Sequence, residues 1–217
     1  MATFTPNSQD NQHTVASVPQ QPTEDDVREA LRTIMRYIGE DPEREGLRNT
    51  PDRIVRMYDE LFRGYHADKQ PRITTFTNAA HSEEMVFDSG DYYSMCEHHM
   101  LPFFGKYYFA YIPSAEGRIL GISKVARVVA YCAARLQLQE RLCREIIEML
   151  ADALTHTRTG KPLVPAQGFA IVMKGQHLCK SMRGIKNKGD MTVSYFTGCF
   201  KTNRQFRNEF FNMIAMQ

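Results

Sequence analysis

Apolar residues first recur at helical spacing in Val27, Leu31, Ile34, Met35 and Ile38, which fall on one face of a helix. Thr23 precedes them as an N-cap, and Glu24, Asp25 and Asp26 place acid in the first turn, where the helix dipole favours it. Gly39 and Pro42 end the run. Thr50-Pro51 opens a second helix with the stripe Ile54, Val55, Tyr58, Leu61 and Phe62, closed by Gly64. Residues 66–82 read as a loop. A β-rich stretch covers about 84–121, with its clearest strand at 106–112, followed by turn chemistry at Pro113-Ser114 and Glu116-Gly117. Two helical runs follow. The first, 123–135, carries Val125, Val128, Val129 and Cys132, and the second, 138–157, carries Leu142, Ile146, Met149, Leu150 and Leu154. Strands are predicted at 168–174, 177–182 and 191–200, and Asn203 caps a final helix ending near Ile214.

Helices, then strands, then two helices, then strands and a last helix make an α+β order. No internal repeat or second-domain linker interrupts residues 23–217, which read as a single domain. Residues 1–22 are rich in Asn, Gln, Ser, Thr and Pro and cannot bury enough apolar surface to offset their ordering entropy, so a flexible tail is expected there.

Composition narrows the function classes. A net charge of +2 is too small to imply wholesale nucleic-acid binding, which shows as a strongly basic face, so anion binding must come from local clusters. No apolar run approaches the roughly 20 residues of a membrane span, and the N-terminus lacks the charged and apolar regions of a secretory signal. Five widely spaced cysteines, an odd number, fit reduced thiols in a cytoplasm.

The candidate chemistry starts at Cys96-Glu97-His98-His99, a succession that does not suit an apolar core. Cys96 and His99 are three apart and can aim a thiolate and an imidazole at one metal ion. His177 and Cys179, two apart in a predicted strand, share one face. A Cys, His, Cys set would give zinc three protein ligands and leave the fourth position open, as a catalytic site requires. His98 and His177 remain as imidazoles suited to proton transfer. Cys132, Cys143 and Cys199 are explained by their apolar patterns.

Gly121-Ile122-Ser123-Lys124 runs from a strand into a helix, with Ser123 as the expected N-cap and Lys124 and Arg127 on one helical face. Cations there oppose the helix dipole, and a bound phosphate would relieve the conflict. Strand alternation would put His177, Cys179, Ser181 and Arg183 on one face, with Arg183 available to a second phosphate. Arg53 and Arg56 form a third basic pair. Gln139-Glu140 begins the longest helix. A carboxylate there either complements the helix terminus or accepts the N1–H and 2-amino donors of guanine, which adenine lacks.

Together the segments at 96–103 (Cys-Glu-His-His-Met-Leu-Pro-Phe), 121–124 (Gly-Ile-Ser-Lys), 137–142 (Gln-Leu-Gln-Glu-Arg-Leu) and 175–184 (Gly-Gln-His-Leu-Cys-Lys-Ser-Met-Arg-Gly), with Thr50-Pro51-Asp52-Arg53, resemble the GTP cyclohydrolase I family. The resemblance runs in order from about residue 24 to the C-terminus. It implies a tunnelling fold, an antiparallel sheet with two long helices on one face behind an N-terminal helical segment. It also implies a toroidal homodecamer with active sites at subunit interfaces. The implied reaction converts GTP and water to formate and 7,8-dihydroneopterin triphosphate, the first step of folate and pterin biosynthesis.

By position, Cys96, His99 and Cys179 match the zinc ligands, and His98 and His177 match the acid/base histidines. Glu140 and Gln139 match the guanine site, and Ser123, Lys124, Arg127 and Arg183 match the triphosphate contacts. Arg53 and Arg56 would reach the triphosphate from a neighbouring subunit. Ile122 and Lys180 depart from the commonest pattern, Arg56 stands where some members have Lys, and Ser194-Tyr195 replaces Thr-Ser; all of these spare the proposed ligands. Two other readings exist. One is a related tunnelling-fold enzyme of deazaguanine metabolism, such as a nitrile reductase, which needs a nucleophilic cysteine and a nicotinamide site. The other is a structural zinc protein, which needs a fourth ligand.

Overall fold

The protein is described by a computed structural model covering residues 21–156 and 160–217. Of the expected tail, residues 1–20 lie outside the described residues. The chain divides into two compact units, one running to Arg56 and one from Met57 to Gln217, so the boundary falls inside a helix.

In the first unit α1 (Glu24–Tyr37) begins as its sequence predicts. The Thr23 side chain accepts from the Asp26 N–H while the Asp26 carboxylate accepts from the Thr23 N–H, a reciprocal capping box. Gly39 takes a positive φ of 92° just past the helix end, the left-handed turn that glycine adopts without steric penalty. Helix α2 (Thr50–Leu61) starts here, and Arg28 of α1 donates to Asp52 at 2.7 Å while also pairing with Glu24 and Asp25.

The second unit is built on alternation. Its strands are β1 (Thr75–Thr77), β2 (Val86–Cys96), β3 (Pro102–Ile112) and β4 (Arg118–Leu120), followed by α3 (Lys124–Ala133), the two-residue β5 (Leu136–Gln137) and α4 (Gln139–Thr155). Then come β6 (Gly168–His177), a single helical turn α5 (Leu178–Ser181), β7 (Met191–Phe196), α6 (Gly198–Thr202) and α7 (Arg204–Ala215). β1 and β4 pair separately within the segment expected to be a loop and its neighbour. The main sheet has the order β5-β2-β3-β6-β7 and is antiparallel except where β5 runs parallel to the end of β2.

Period-two alternation splits β3 and β6 between two cores. Phe109, Tyr111, Phe169, Ile171 and Met173 face Val125, Val128, Val129, Leu142, Ile146 and Leu150 of α3 and α4. Ala110, Ile112, Ala170 and Val172 face Phe200 and Phe210 of α6 and α7. The small residues on the second face leave room for the two phenylalanine rings, which pack edge to face.

Three expectations are corrected. First, β6 ends at His177, and residues 178–182 are not a strand. β3 begins at Pro102, and the last β3–β6 pair is Phe103 with His177. Beyond it β6 has no partner, and its backbone is satisfied locally by a helical turn, with the Met182 N–H donating to the Leu178 carbonyl. Second, β7 stops at Phe196. There Gly198, at a φ of 52°, turns against the Gln167 carbonyl at a position where a Cβ would collide. Third, Ser123 has αR geometry and its side chain does not cap α3. The Asn203 cap forms as expected, accepting from the Gln205 N–H.

Leu150 is fully buried between α4 and the sheet. Leu150→Ala should lower unfolding free energy by about 2–5 kcal/mol in urea titrations followed by circular dichroism. A loss below about 1 kcal/mol would mean that the helical layer does not seal this face.

Candidate functional site

Cys96 is the last residue of β2, and the chain reverses immediately after it. The Cys96 N–H donates to the Leu101 carbonyl at 2.8 Å and the Met100 N–H returns to the Cys96 carbonyl at 2.8 Å. β5 lies on the other side, pairing Gln137 with Cys96, and the Glu97 N–H donates to the Gln137 carbonyl. The turn therefore hangs between two strands, with Cys96 buried and His98 and His99 exposed.

The helical turn α5 brings Cys179 back to this point. The Cys96 and Cys179 Sγ atoms lie 3.8 Å apart, and Cys96 Sγ is 3.8 Å from His98 Nδ1. Among the described residues, Cys96, His177 and Cys179 form a group whose ligand atoms all lie within 4.8 Å of one another. Two thiolates bound tetrahedrally to one zinc at about 2.3 Å would be about 3.8 Å apart, so the observed sulfur separation fits that donor geometry. Burial, and then the neighbouring Cys96, push the Cys179 thiol up, which is the cost that a cation between the two sulfurs would relieve. Burial above all pushes Cys132 and Cys143 up to about 12, as expected of inert core thiols.

His99, the expected third ligand, is not in that group. Its Nε2 faces the Arg183 guanidinium at 2.8 Å; since Arg only donates, Nε2 is the acceptor and the ring proton sits on Nδ1. His177 stands in that group in its place. Its ring stacks on the buried Phe103, with centroids 4.5 Å apart and planes 6° from parallel, and its Nε2 lies 2.8 Å from Gln139 Oε1. Burial lowers the His177 pKa, the Glu140 carboxylate opposes that shift, and Lys180 adds to it.

The remaining expected residues divide by element. Glu140 is exposed in the first turn of α4, whereas Gln139 beside it is buried. Ser123 and Lys124 stand at the start of α3 and Arg127 one turn on; no acidic residue occupies that first turn. Arg53 and Arg56 are exposed on α2 in the first unit.

One part of the site escaped the sequence reading. Glu97, with no assigned role, accepts from Arg141 at 2.6 Å. Arg141 also donates to Gln137 Oε1 and to the Leu136 carbonyl, so α4, β5 and the turn after Cys96 share one guanidinium. Glu97, Gln137 and Arg141 were all within the quoted motifs, but nothing local tells which charges meet.

Comparison with known proteins places the chain among relatives. The family model described as GTP cyclohydrolase I matches residues 27–215. The chain is 46% identical to the GTP cyclohydrolase 1 of Thermoanaerobacter pseudethanolicus over 87% of its own length and 95% of that protein's. It is 40% identical to the one from Clostridium kluyveri over 89% and 99%, and 41% identical to the one from Rickettsia prowazekii over 89% and 97%. Among solved structures, the archaeosine synthase QueF-Like in the apo form is similar to 52% of this chain and 93% of its own, at 18% identity and a TM-score of 0.39, too slight a likeness to bear on fold or function.

The Glu97–Arg141 pair is testable by a double-mutant cycle. Glu97→Gln and Arg141→Met should show a coupling of about 0.5–3 kcal/mol in urea melts, toward the low end because the side chains are 31% and 33% exposed. Additive losses would mean that the pair does not hold the turn.

Proposed function

The chain belongs to the GTP cyclohydrolase I family and is an enzyme of that class, and from that premise we propose that it converts GTP and water to 7,8-dihydroneopterin triphosphate and formate. The observation that carries the reading is the thiol pair at 3.8 Å with an imidazole beside it, near the Glu140 carboxylate and the Lys180 and Arg183 cations.

In this reading Cys96, His99 and Cys179 hold zinc. Bringing His99 to the thiols requires its exposed side chain to leave Arg183, which frees that guanidinium for a phosphate. The chemistry a zinc ion supplies there is activation of water near neutral pH. Glu140 accepts the N1–H and 2-amino donors of guanine, which sets the base preference. Ser123, Lys124, Arg127 and Arg183 hold the triphosphate, and Arg53 and Arg56 reach it from a neighbouring subunit. As water adds at C8, His177 delivers a proton to N7 and the five-membered ring opens. A second addition of water releases C8 as formate. His98 then moves protons while the ribose opens and the pterin ring closes.

The same proposal includes a tunnelling fold closed into a toroidal decamer. Its support is the sheet itself: among the described residues β5 pairs only with the last two residues of β2, and β7 has no partner on its outer side. Such edges invite pairing with another chain. A cytoplasmic setting belongs to it as well; no helix among the described residues is long and apolar enough to cross a membrane. The nitrile-reductase reading needs an activated thiolate and a nicotinamide site, and stoichiometric zinc that is lost in Cys179→Ser would disfavour it.

Incubation with GTP, oxidation and fluorescence detection should yield a neopterin derivative together with formate. His177→Asn should lose about 10²–10⁴-fold in turnover while keeping its zinc, and wild-type rates in that variant would remove His177 from the chemistry. Metal analysis assigns the third ligand. Zinc should drop well below one per chain in His99→Ala and Cys179→Ser. Zinc kept in His99→Ala but lost in His177→Asn would assign the third ligand to His177 instead.

A further inference from the structure

Gln139 stands beside the guanine-recognition carboxylate, yet its side chain is only 1% exposed and its polar atoms are engaged inside the protein. The amide nitrogen donates to the Met173 carbonyl of β6 at 2.8 Å and to the Met191 carbonyl of β7 at 3.2 Å. Two carbonyls around one end of the amide settle which end is nitrogen, because an oxygen there would face two acceptors. Oε1 is thereby directed at His177 Nε2, 2.8 Å away. An oxygen acceptor requires that this Nε2 carry the hydrogen. In the neutral ring Nδ1 then holds the lone pair.

The second constraint is Phe103. Its ring, fully buried, lies parallel to the His177 imidazole and sets the plane of that ring. Stacking leaves open the half-turn of the ring about Cβ–Cγ, which keeps the plane, and the hydrogen bond at Nε2 selects one of the two orientations. A dedicated acceptor on one ring nitrogen is the standard way to select a histidine tautomer.

We infer that Gln139 is a positioning residue for His177, an amide clamped by the Met173 and Met191 carbonyls that holds Nε2–H and so makes Nδ1 the nitrogen through which His177 exchanges its proton. The inference rests on the proposed acid/base role of His177. It separates two adjacent residues that the sequence groups together: Glu140 reads the base, and Gln139 orients the acid.

The test uses the full-length, zinc-loaded protein. Solid-state NMR of ¹⁵N-histidine-labelled protein, with the His177 signals identified by their loss in His177→Asn, should show the Nε2–H tautomer in the wild type. Gln139→Leu, similar in volume, should give a mixture of tautomers. Its kcat should fall about 10- to 100-fold with KM for GTP within about threefold of wild type and zinc content unchanged. Glu140→Gln should do the reverse, raising KM without altering the His177 tautomer. An Nδ1–H tautomer in the wild type would overturn the inference. So would a Gln139→Leu enzyme with normal kcat and raised KM, the signature of a base contact. If Gln139→Leu does not assemble, the wild-type tautomer alone decides. Wild-type rates in His177→Asn would instead remove the acid/base role, an outcome independent of which nitrogen carries the hydrogen.

Discussion

Strands β2, β3 and β6 stop at the same level of the sheet, and the site depends on that shared ending. Ser94 pairs with Phe103 and Phe103 pairs with His177, and β3 begins only one residue before, at Pro102. Past Pro102 β3 offers no partner; β2 keeps only its short pairing with β5, and each strand must satisfy the rest of its backbone locally. β2 does so by reversing after Cys96, and β6 does so by winding one helical turn after His177. These two local solutions are what bring the Cys96 and Cys179 sulfurs to 3.8 Å. A strand that continued through residue 182, as alternation predicts, would instead carry Cys179 along the strand direction at more than 3 Å per residue.

The helical layer supplies the rest. Burial of one apolar face of α3 and α4 against the sheet fixes which of their residues end at the site. Gln139 is held by carbonyls of β6 and β7, and Arg141 by Glu97, Gln137 and the Leu136 carbonyl, so the first turn of α4 is tied to three strands and to the turn bearing Cys96. Glu140, between those two, is left exposed. A helix pinned on both sides of one exposed carboxylate is a rigid mount for the base recognition proposed for Glu140, since part of the ordering cost would be met by the fold and not by the ligand.

His99 and His177 show how near neighbours can take different environments. His177 is stacked, hydrogen-bonded and partly buried, while His99 is exposed and faces Arg183. Arg183 offers only donors, so it meets the one lone pair of the neutral His99 ring.

Much of this was legible from residue types alone. Thr23 with Asp26 and Asn203 with Gln205 form caps because capping involves groups within three residues of one another. The apolar stripes of α3 and α4 and the alternation in β3 follow from helical and strand periods. The thiols and imidazoles of the site are visible in any reading of residues 96–99 and 177–179. The tertiary structure alone decided where β6 ends, because its last partner, Phe103, lies far away in the chain. It also decided that Glu97 meets Arg141, that Gln139 faces His177 and not solvent, and that His177 rather than His99 lies beside the thiols. Periodicity and capping are set by neighbours within a turn or two, whereas strand termination and charge pairing are set by which distant backbone groups remain unsatisfied when the sheet has formed.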